Sequence, residues 1–222
     1  MKTPTDDRTT GAAPAAPPAP AAPAPEKPYT FVIAAACFMF GITLGWTISS
    51  LLSPRPHMPS EPDIERLCST EPGVRVRAWT HIVLHHSDGA VGDAAMIDRY
   101  HRRTKRWKNG LGYDFVIGNG TRSGDGEIEV GHRWRRQLNG AHCKAGGMNE
   151  KAIGICFVGD FETSPGPSAA QLLAGITLVR HLAAKFSIPP ANILGHGQVE
   201  GADTLCPGKH FPIKLFSAAA HP

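Results

Sequence analysis

Residues 195–208 read Gly-His-Gly-Gln-Val-Glu-Gly-Ala-Asp-Thr-Leu-Cys-Pro-Gly and place His196 ten positions before Cys206. An imidazole nitrogen and a thiolate sulfur are the two ligand types that suit zinc best. The stretch therefore predicts two ligands of a metal centre on one loop. The alternative is an ordinary loop histidine near a buried free cysteine, and the two residues by themselves fit it equally well.

A catalytic zinc site takes three protein ligands and keeps one position for water, so a third ligand is needed. Candidates stand in Trp79-Thr-His-Ile-Val-Leu-His-His-Ser87, where β-branched residues and alternation predict a strand from Thr80 to His85. Alternate side chains of a strand point to opposite faces. His85 and His86 therefore cannot both reach one metal ion from a regular strand.

Strand-like and helix-like patterns alternate through the rest of the chain. Ala152 to Val158 is continuously apolar, which is typical of a central strand buried on both faces. Ser168 is expected to cap a helix from Ala169 to about Phe186, whose apolar residues recur at helical spacing. The other predicted elements are a helix over Asp93–Lys105 with Met96, Ile97 and Tyr100 on its apolar side, strands over Tyr113–Ile117, Glu127–Val130 and Asn192–Leu194, and a polar loop over His132–Asn139 that lines the cleft or is simply solvated. We expect one α/β domain with a central mixed β-sheet flanked by helices.

Composition divides the 222 residues into four segments. Residues 1–28 are rich in Ala and Pro and are predicted to be disordered. Residues 29–52 hold an uncharged apolar run, and about 20 such residues suffice for a transmembrane helix, so we interpret it as an uncleaved anchor. A buried soluble helix is the alternative. Residues 53–72 are predicted to be a Pro-rich linker, and residues 73–217 form the α/β domain.

The net charge of +4 belongs to the part of the chain after residue 52, and its basic residues are clustered. The cluster is either a solvated helix face or a surface attracted to an anionic wall polymer or membrane. No nucleic-acid motif accompanies it, so no nucleic-acid partner is expected. Its members are Arg99, Arg102, Arg103, Lys105, Arg106 and Lys108.

Three further segments lie in order between the two candidate ligand stretches: Leu111-Gly-Tyr-Asp-Phe-Val-Ile-Gly118, Gly140-Ala-His-Cys-Lys-Ala-Gly-Gly-Met-Asn149 and Ala152-Ile-Gly-Ile-Cys-Phe-Val-Gly159. Together the five segments resemble the zinc-dependent N-acetylmuramoyl-L-alanine amidases, the family of T7 lysozyme and the peptidoglycan recognition proteins. The resemblance runs from about Arg77 to Phe211.

The resemblance implies a zinc ion held by His85, His196 and Cys206. It also implies two catalytic side chains. Tyr113, in Gly-Tyr-Asp-Phe, would hydrogen-bond the attacking water or the tetrahedral intermediate, although a strand tyrosine packed on the core is the alternative. Thr204 would donate a hydrogen bond to an oxyanion without bringing positive charge.

Two further histidines are expected beside the substrate. His142 follows Gly-Ala and would border the substrate groove without binding metal, while His86 would support the ligands or pack near the substrate. Some relatives carry a glutamate where this chain has Cys156, which we expect to be a buried free thiol. A Cys68–Cys143 disulfide is left open by the sequence.

The function that the resemblance implies is hydrolysis of the amide bond between N-acetylmuramic acid and L-alanine in peptidoglycan. A non-catalytic module that binds peptidoglycan is the alternative. We expect a monomer in the inner or cytoplasmic membrane, spanning it once through residues 29–52, with the domain facing the periplasm or cell wall. Wall remodelling and lysis are equally compatible with the sequence.

Overall fold

The structure is a computed structural model that describes residues 61–220. The predicted disordered segment 1–28 and the predicted anchor 29–52 lie outside these residues. Within residues 61–220, no helix combines the length and apolar character needed to cross a membrane.

A five-stranded mixed sheet forms the centre of the domain, as predicted. The strands are β1 (His81–His86), β2 (Phe115–Ile117), β3 (Ile128–Val130), β4 (Ala152–Phe157) and β5 (Ile193–Gly195). Their order is β3-β2-β4-β1-β5, in which the edge strand β3 pairs antiparallel with β2 and all other neighbours are parallel. All six residues of β4 are buried, as expected for the continuously apolar central strand.

In the described part of the chain, six α-helices accompany the sheet, in addition to short 3-10 turns: α1 (Glu61–Leu67), α2 (Ala94–Arg103), α3 (His132–Arg136), α4 (Met148–Lys151), α5 (Ala169–Phe186) and α6 (Ile213–Ala219). The predicted bounds of α5 are confirmed. The Ser168 hydroxyl accepts the Gln171 N–H at 3.0 Å, and the Gln171 side chain accepts the Ser168 N–H at 3.1 Å. This reciprocal pair satisfies two backbone donors that the first turn would otherwise leave unpaired.

The two faces of the sheet have different roles. Ile82 and Leu84 of β1 belong to the main hydrophobic core, together with the apolar stripe of α5. Val83 and His85 point to the opposite face, where their register partners on β4 are Gly154 and Cys156. The second face therefore carries a histidine at the carboxyl end of β1 beside smaller apolar clusters, one of which includes Val83, while the first supplies the main core.

The segment predicted to be a polar loop over His132–Asn139 contains α3, and that prediction is wrong for its central residues. Trp134 is fully buried, and its indole N–H donates to the Cys68 carbonyl at 3.0 Å. Arg133 is also buried and donates to the Leu111 carbonyl at 2.6 Å. Backbone carbonyls from distant segments, rather than solvent, satisfy these polar groups.

Helix α2 is slightly shorter than the predicted Asp93–Lys105, because Asp93 is its N-cap and its carboxylate accepts the Met96 N–H. Its buried side differs from the prediction: Met96 is 40% exposed and Tyr100 is 49% exposed. His101 is buried instead, and its Nδ1 accepts the Gly112 N–H at 3.1 Å. A neutral histidine with a backbone partner fills a position that hydrophobic periodicity cannot identify.

The sequence prediction places the start of the domain at residue 73. In the structure, residues before this position already belong to the core. Helix α1 lies within the predicted linker over 53–72, yet Ile64 and Cys68 are buried in the main core. Cys143 lies in a different hydrophobic cluster, and Cys68 and Cys143 are both free thiols. The disulfide that the sequence left open is therefore not formed in the structure.

We expect Ile64→Ala to lower the free energy of unfolding by about 2–5 kcal/mol, because it leaves a cavity in the core. The matched control is Glu65→Ala on the exposed side of α1, with an expected change within about 0.5 kcal/mol. Urea unfolding monitored by circular dichroism measures both. Identical midpoints for the two variants would show that α1 is not part of the cooperative domain.

Candidate metal centre

The three predicted ligands meet at one edge of the sheet. His85 lies near the end of β1, His196 directly follows β5, and Cys206 is on the loop after it. Because β1 and β5 are parallel neighbours, their carboxyl ends lie side by side. One ligand atom from each of the three residues lies within 4.8 Å of the others.

Burial favours the uncharged form of all three residues, and it lowers the pKa of His196 as well as that of His85. Burial lowers the pKa of His85 well below its ordinary value, and the neighbouring His142, His196 and His86 lower it further. Burial raises the pKa of the Cys206 thiol to about 12, although the His86 N–H donates to its sulfur at 3.4 Å. A bound metal cation would stabilise the negatively charged thiolate form of Cys206 against this effect of burial.

The donor set fits zinc. Two imidazoles and one thiol are nitrogen and sulfur ligands of the kind zinc prefers, and three protein ligands are the number found in catalytic sites. A second group, His86 with Asp88 and Asp160, also has ligand atoms within 4.8 Å of one another. The His86 Nδ1 in that group already accepts the Phe161 N–H at 3.2 Å, so this ring nitrogen is occupied.

Tyr113 lies beside the first candidate ligand. Its ring centroid is 5.1 Å from that of His85 and 6.4 Å from that of His142. Burial raises the pKa of the phenol well above its ordinary value, and the neighbouring Cys156 and Cys206 raise it further. Tyr113 therefore keeps its proton at neutral pH and can act as a neutral hydrogen-bond donor.

Thr204 stands next to the cysteine ligand. Its hydroxyl oxygen accepts the Cys206 N–H at 3.2 Å, which leaves the hydroxyl hydrogen to donate elsewhere. Thr204 and Cys206 both line a cavity of about 720 Å³, together with Lys209 and the exposed Leu205. The structure thus places Thr204 beside the candidate ligands at the mouth of an open cavity.

The two predicted substrate-side histidines occupy different places. His142 lines a second cavity, of about 520 Å³, with His196 and Trp107. The His142 ring is nevertheless buried and contacts His85, with 3.0 Å between His142 Nδ1 and His85 Nε2. The His86 ring points away from its neighbour His85 and packs near Phe161, at 6.3 Å between ring centroids. Only its backbone N–H reaches a candidate ligand.

Sequence reasoning missed two residues that shape the site. The Asn149 side-chain oxygen accepts the N–H groups of His142 and Cys143, at 2.8 and 2.9 Å. A Cβ added to Gly154 would lie 2.4 Å from the His142 ring, so this ring needs a glycine in the adjacent strand. A glycine inside an apolar strand is a recognised signal of such close approach, whereas Asn149 gives no comparable signal.

Comparisons with known proteins identify the family of this chain. Residues 75–209, more than half of the chain, match the Amidase_2 family, described as N-acetylmuramoyl-L-alanine amidase. Peptidoglycan-recognition protein SC2 of Drosophila melanogaster is 33% identical over 138 residues, which cover 58% of this chain and 68% of that protein.

Two solved structures from Clostridium intestinale are also similar. The N-acetylmuramoyl-L-alanine amidase LysC has a TM-score of 0.54 and 30% identity, over 64% of this chain and 84% of that chain. The endolysin amidase LysCS has a TM-score of 0.56 and 27% identity, over 74% of this chain and 97% of that chain. With its matching domain and its candidate His–His–Cys group, this chain belongs to the Amidase_2, or N-acetylmuramoyl-L-alanine amidase, family.

Proposed function

We propose that this protein is a zinc-dependent amidase that hydrolyses the bond between N-acetylmuramic acid and L-alanine in peptidoglycan. The observation that carries the proposal is the convergence of His85, His196 and Cys206 within 4.8 Å, next to Tyr113. Two similar solved structures are named N-acetylmuramoyl-L-alanine amidases, which supports the same chemistry.

In this proposal His85, His196 and Cys206 hold the metal and leave one position open. Zinc, when bound, lowers the pKa of a coordinated water to about 7 and polarises a carbonyl group. Tyr113 keeps its phenolic proton and donates to the oxygen on which negative charge develops. The Thr204 hydroxyl hydrogen is a second neutral donor on the Cys206 side. Both act as neutral hydrogen-bond donors toward the charge that develops on the substrate oxygen.

A non-catalytic recognition module is the second candidate. It is favoured by the similarity to a protein named for peptidoglycan recognition. The complete set of two histidines and one cysteine supports the enzyme, because binding alone would not need a three-ligand metal group with an open position.

The deciding experiment incubates the full chain with purified sacculi and measures newly freed L-alanine amino groups. Amide hydrolysis releases one amino group for each bond cut. Zinc bound to the protein with no release of amino groups would identify a recognition module instead.

The location of the protein is also a proposal. We propose a single-pass protein of the inner or cytoplasmic membrane that is anchored through residues 29–52, with the domain toward the periplasm or cell wall. The uncharged run from Thr30 to Leu52 supports it. We further propose that the protein acts as a monomer on peptidoglycan.

Deleting residues 1–52 should convert a membrane-bound protein into a soluble one that still cleaves sacculi. The deletion removes the apolar run but leaves α1 and its buried Ile64 intact. Fractionation of cells, with activity assayed in each fraction, tests the expectation. Salt-resistant membrane association of the shortened chain would contradict it.

The full chain should bind about one zinc ion, and His85→Ala, His196→Ala or Cys206→Ser should each reduce the zinc content to near zero and abolish cleavage. His81→Ala is the matched control, because His81 begins the same strand but lies outside the ligand group. Elemental analysis of the purified proteins gives the readout. Full zinc content in any one of the three variants would remove that residue from the ligand set.

Tyr113→Phe should retain zinc yet slow cleavage of sacculi by about 100–1,000-fold, the usual cost of losing one oxyanion donor. Tyr100→Phe, at an exposed position of α2, is the control and should be as active as the parent. Cleavage rates and zinc content are measured on the same preparations. A parental rate for Tyr113→Phe would assign Tyr113 to packing alone.

A further inference from the structure

The two ring nitrogens of His85 face different partners. Nδ1 lies 3.7 Å from the Cys206 sulfur, whereas Nε2 lies 3.0 Å from Nδ1 of His142. His142 itself is outside the group of three candidate ligands. A neutral imidazole has one N–H and one lone pair. His85 can therefore ligate through Nδ1 only if its hydrogen is on Nε2.

The backbone fixes where both hydrogens lie. The second nitrogen of the His142 ring, Nε2, is 3.3 Å from the Ala152 carbonyl oxygen. A carbonyl oxygen only accepts, so His142 must carry its hydrogen on Nε2 to make this bond. Its Nδ1 is then a lone pair that faces His85 and accepts the hydrogen of His85 Nε2. The chain of bonds thus runs in one direction, from His85 through His142 to the backbone of β4.

The His142 ring is held firmly enough to impose this order. Asn149 accepts the backbone N–H groups of His142 and Cys143 and so fixes the loop. A Cβ on Gly140 would lie 2.5 Å from the His142 ring, and one on Gly154 would lie 2.4 Å from it. The ring therefore occupies space that two glycines leave open and has little room to rotate.

We propose that His142 is a positioning residue for the metal centre. By accepting from His85 Nε2–H, it holds His85 in the tautomer and orientation that present Nδ1 toward His196 and Cys206. The inference rests on the proposed zinc site. In this inference His142 orients a metal ligand, whereas the sequence prediction has it border the substrate groove. Loss of such an outer partner typically weakens metal binding by about 10–100-fold.

Zinc affinity of the full chain, measured by competition with a chromophoric chelator, tests the proposal. We expect His142→Leu to bind zinc about 10–100-fold more weakly than the parent. His142→Gln keeps one acceptor and one donor and should recover most of that loss, while His81→Leu is the control for a histidine-to-leucine change at a distance. Circular dichroism verifies that each variant is folded. Parental affinity in His142→Leu would overturn the proposal, and so would a glutamine variant as weak as the leucine variant.

A measurement without zinc separates this inference from the proposed function. Nitrogen-15 chemical shifts of the His85 ring in the metal-free full chain report its tautomer at neutral pH. We expect the Nε2–H form in the parent and a loss of that preference in His142→Leu. Hydrogen on Nδ1 in the parent would overturn the inference even if zinc binds. A parent that shows the Nε2–H form but binds no zinc would instead defeat the proposed zinc enzyme.

Discussion

The parallel pairing of β1 with β5 is the interaction on which the candidate site depends. Only three residue pairs define it, from Ile82 opposite Ile193 to Leu84 opposite Gly195. Because parallel strands end at the same edge, this short contact brings His85 to His196, although more than half of the domain lies between them in sequence. The Gly197 N–H then donates to the Cys206 carbonyl at 2.7 Å and ties the remaining ligand to the same edge.

The two faces of the sheet differ in what they bury. The first face packs against α5 through aliphatic and aromatic side chains, whereas the second combines smaller apolar clusters with buried polar groups that require partners. Asp114 is one of these polar groups. One of its carboxyl oxygens accepts the Gly154 N–H at 2.8 Å, the other is buried without a hydrogen-bond partner among the described residues, and burial raises the pKa of the carboxyl to about 7. The same strand residue, Gly154, thus contacts both the Asp114 carboxyl and the space occupied by the His142 ring.

Local signals made part of this architecture predictable. The limits of α5 follow from Ser168 and a helical stripe, and β4 follows from its apolar run. The ligand trio followed from zinc chemistry only together with the resemblance, since spacing alone left His85 and His86 unresolved. Contacts between distant segments were not predictable. Trp134 is buried because it stacks near Trp79 at 6.3 Å, and His142 gains its environment from His85, 57 residues earlier.

Gly154 has a consequence for anyone who redesigns this domain. A glycine in a central strand weakens the sheet, so a procedure that maximises strand propensity would replace it with valine or isoleucine. Because Gly154 has no side chain, the His142 ring can occupy the space beside it. Such a substitution would raise the β-propensity of β4, but it would also displace the His142 ring that contacts His85. In this domain, β4 therefore cannot carry a β-branched residue at position 154 and also leave the His142 ring in its place.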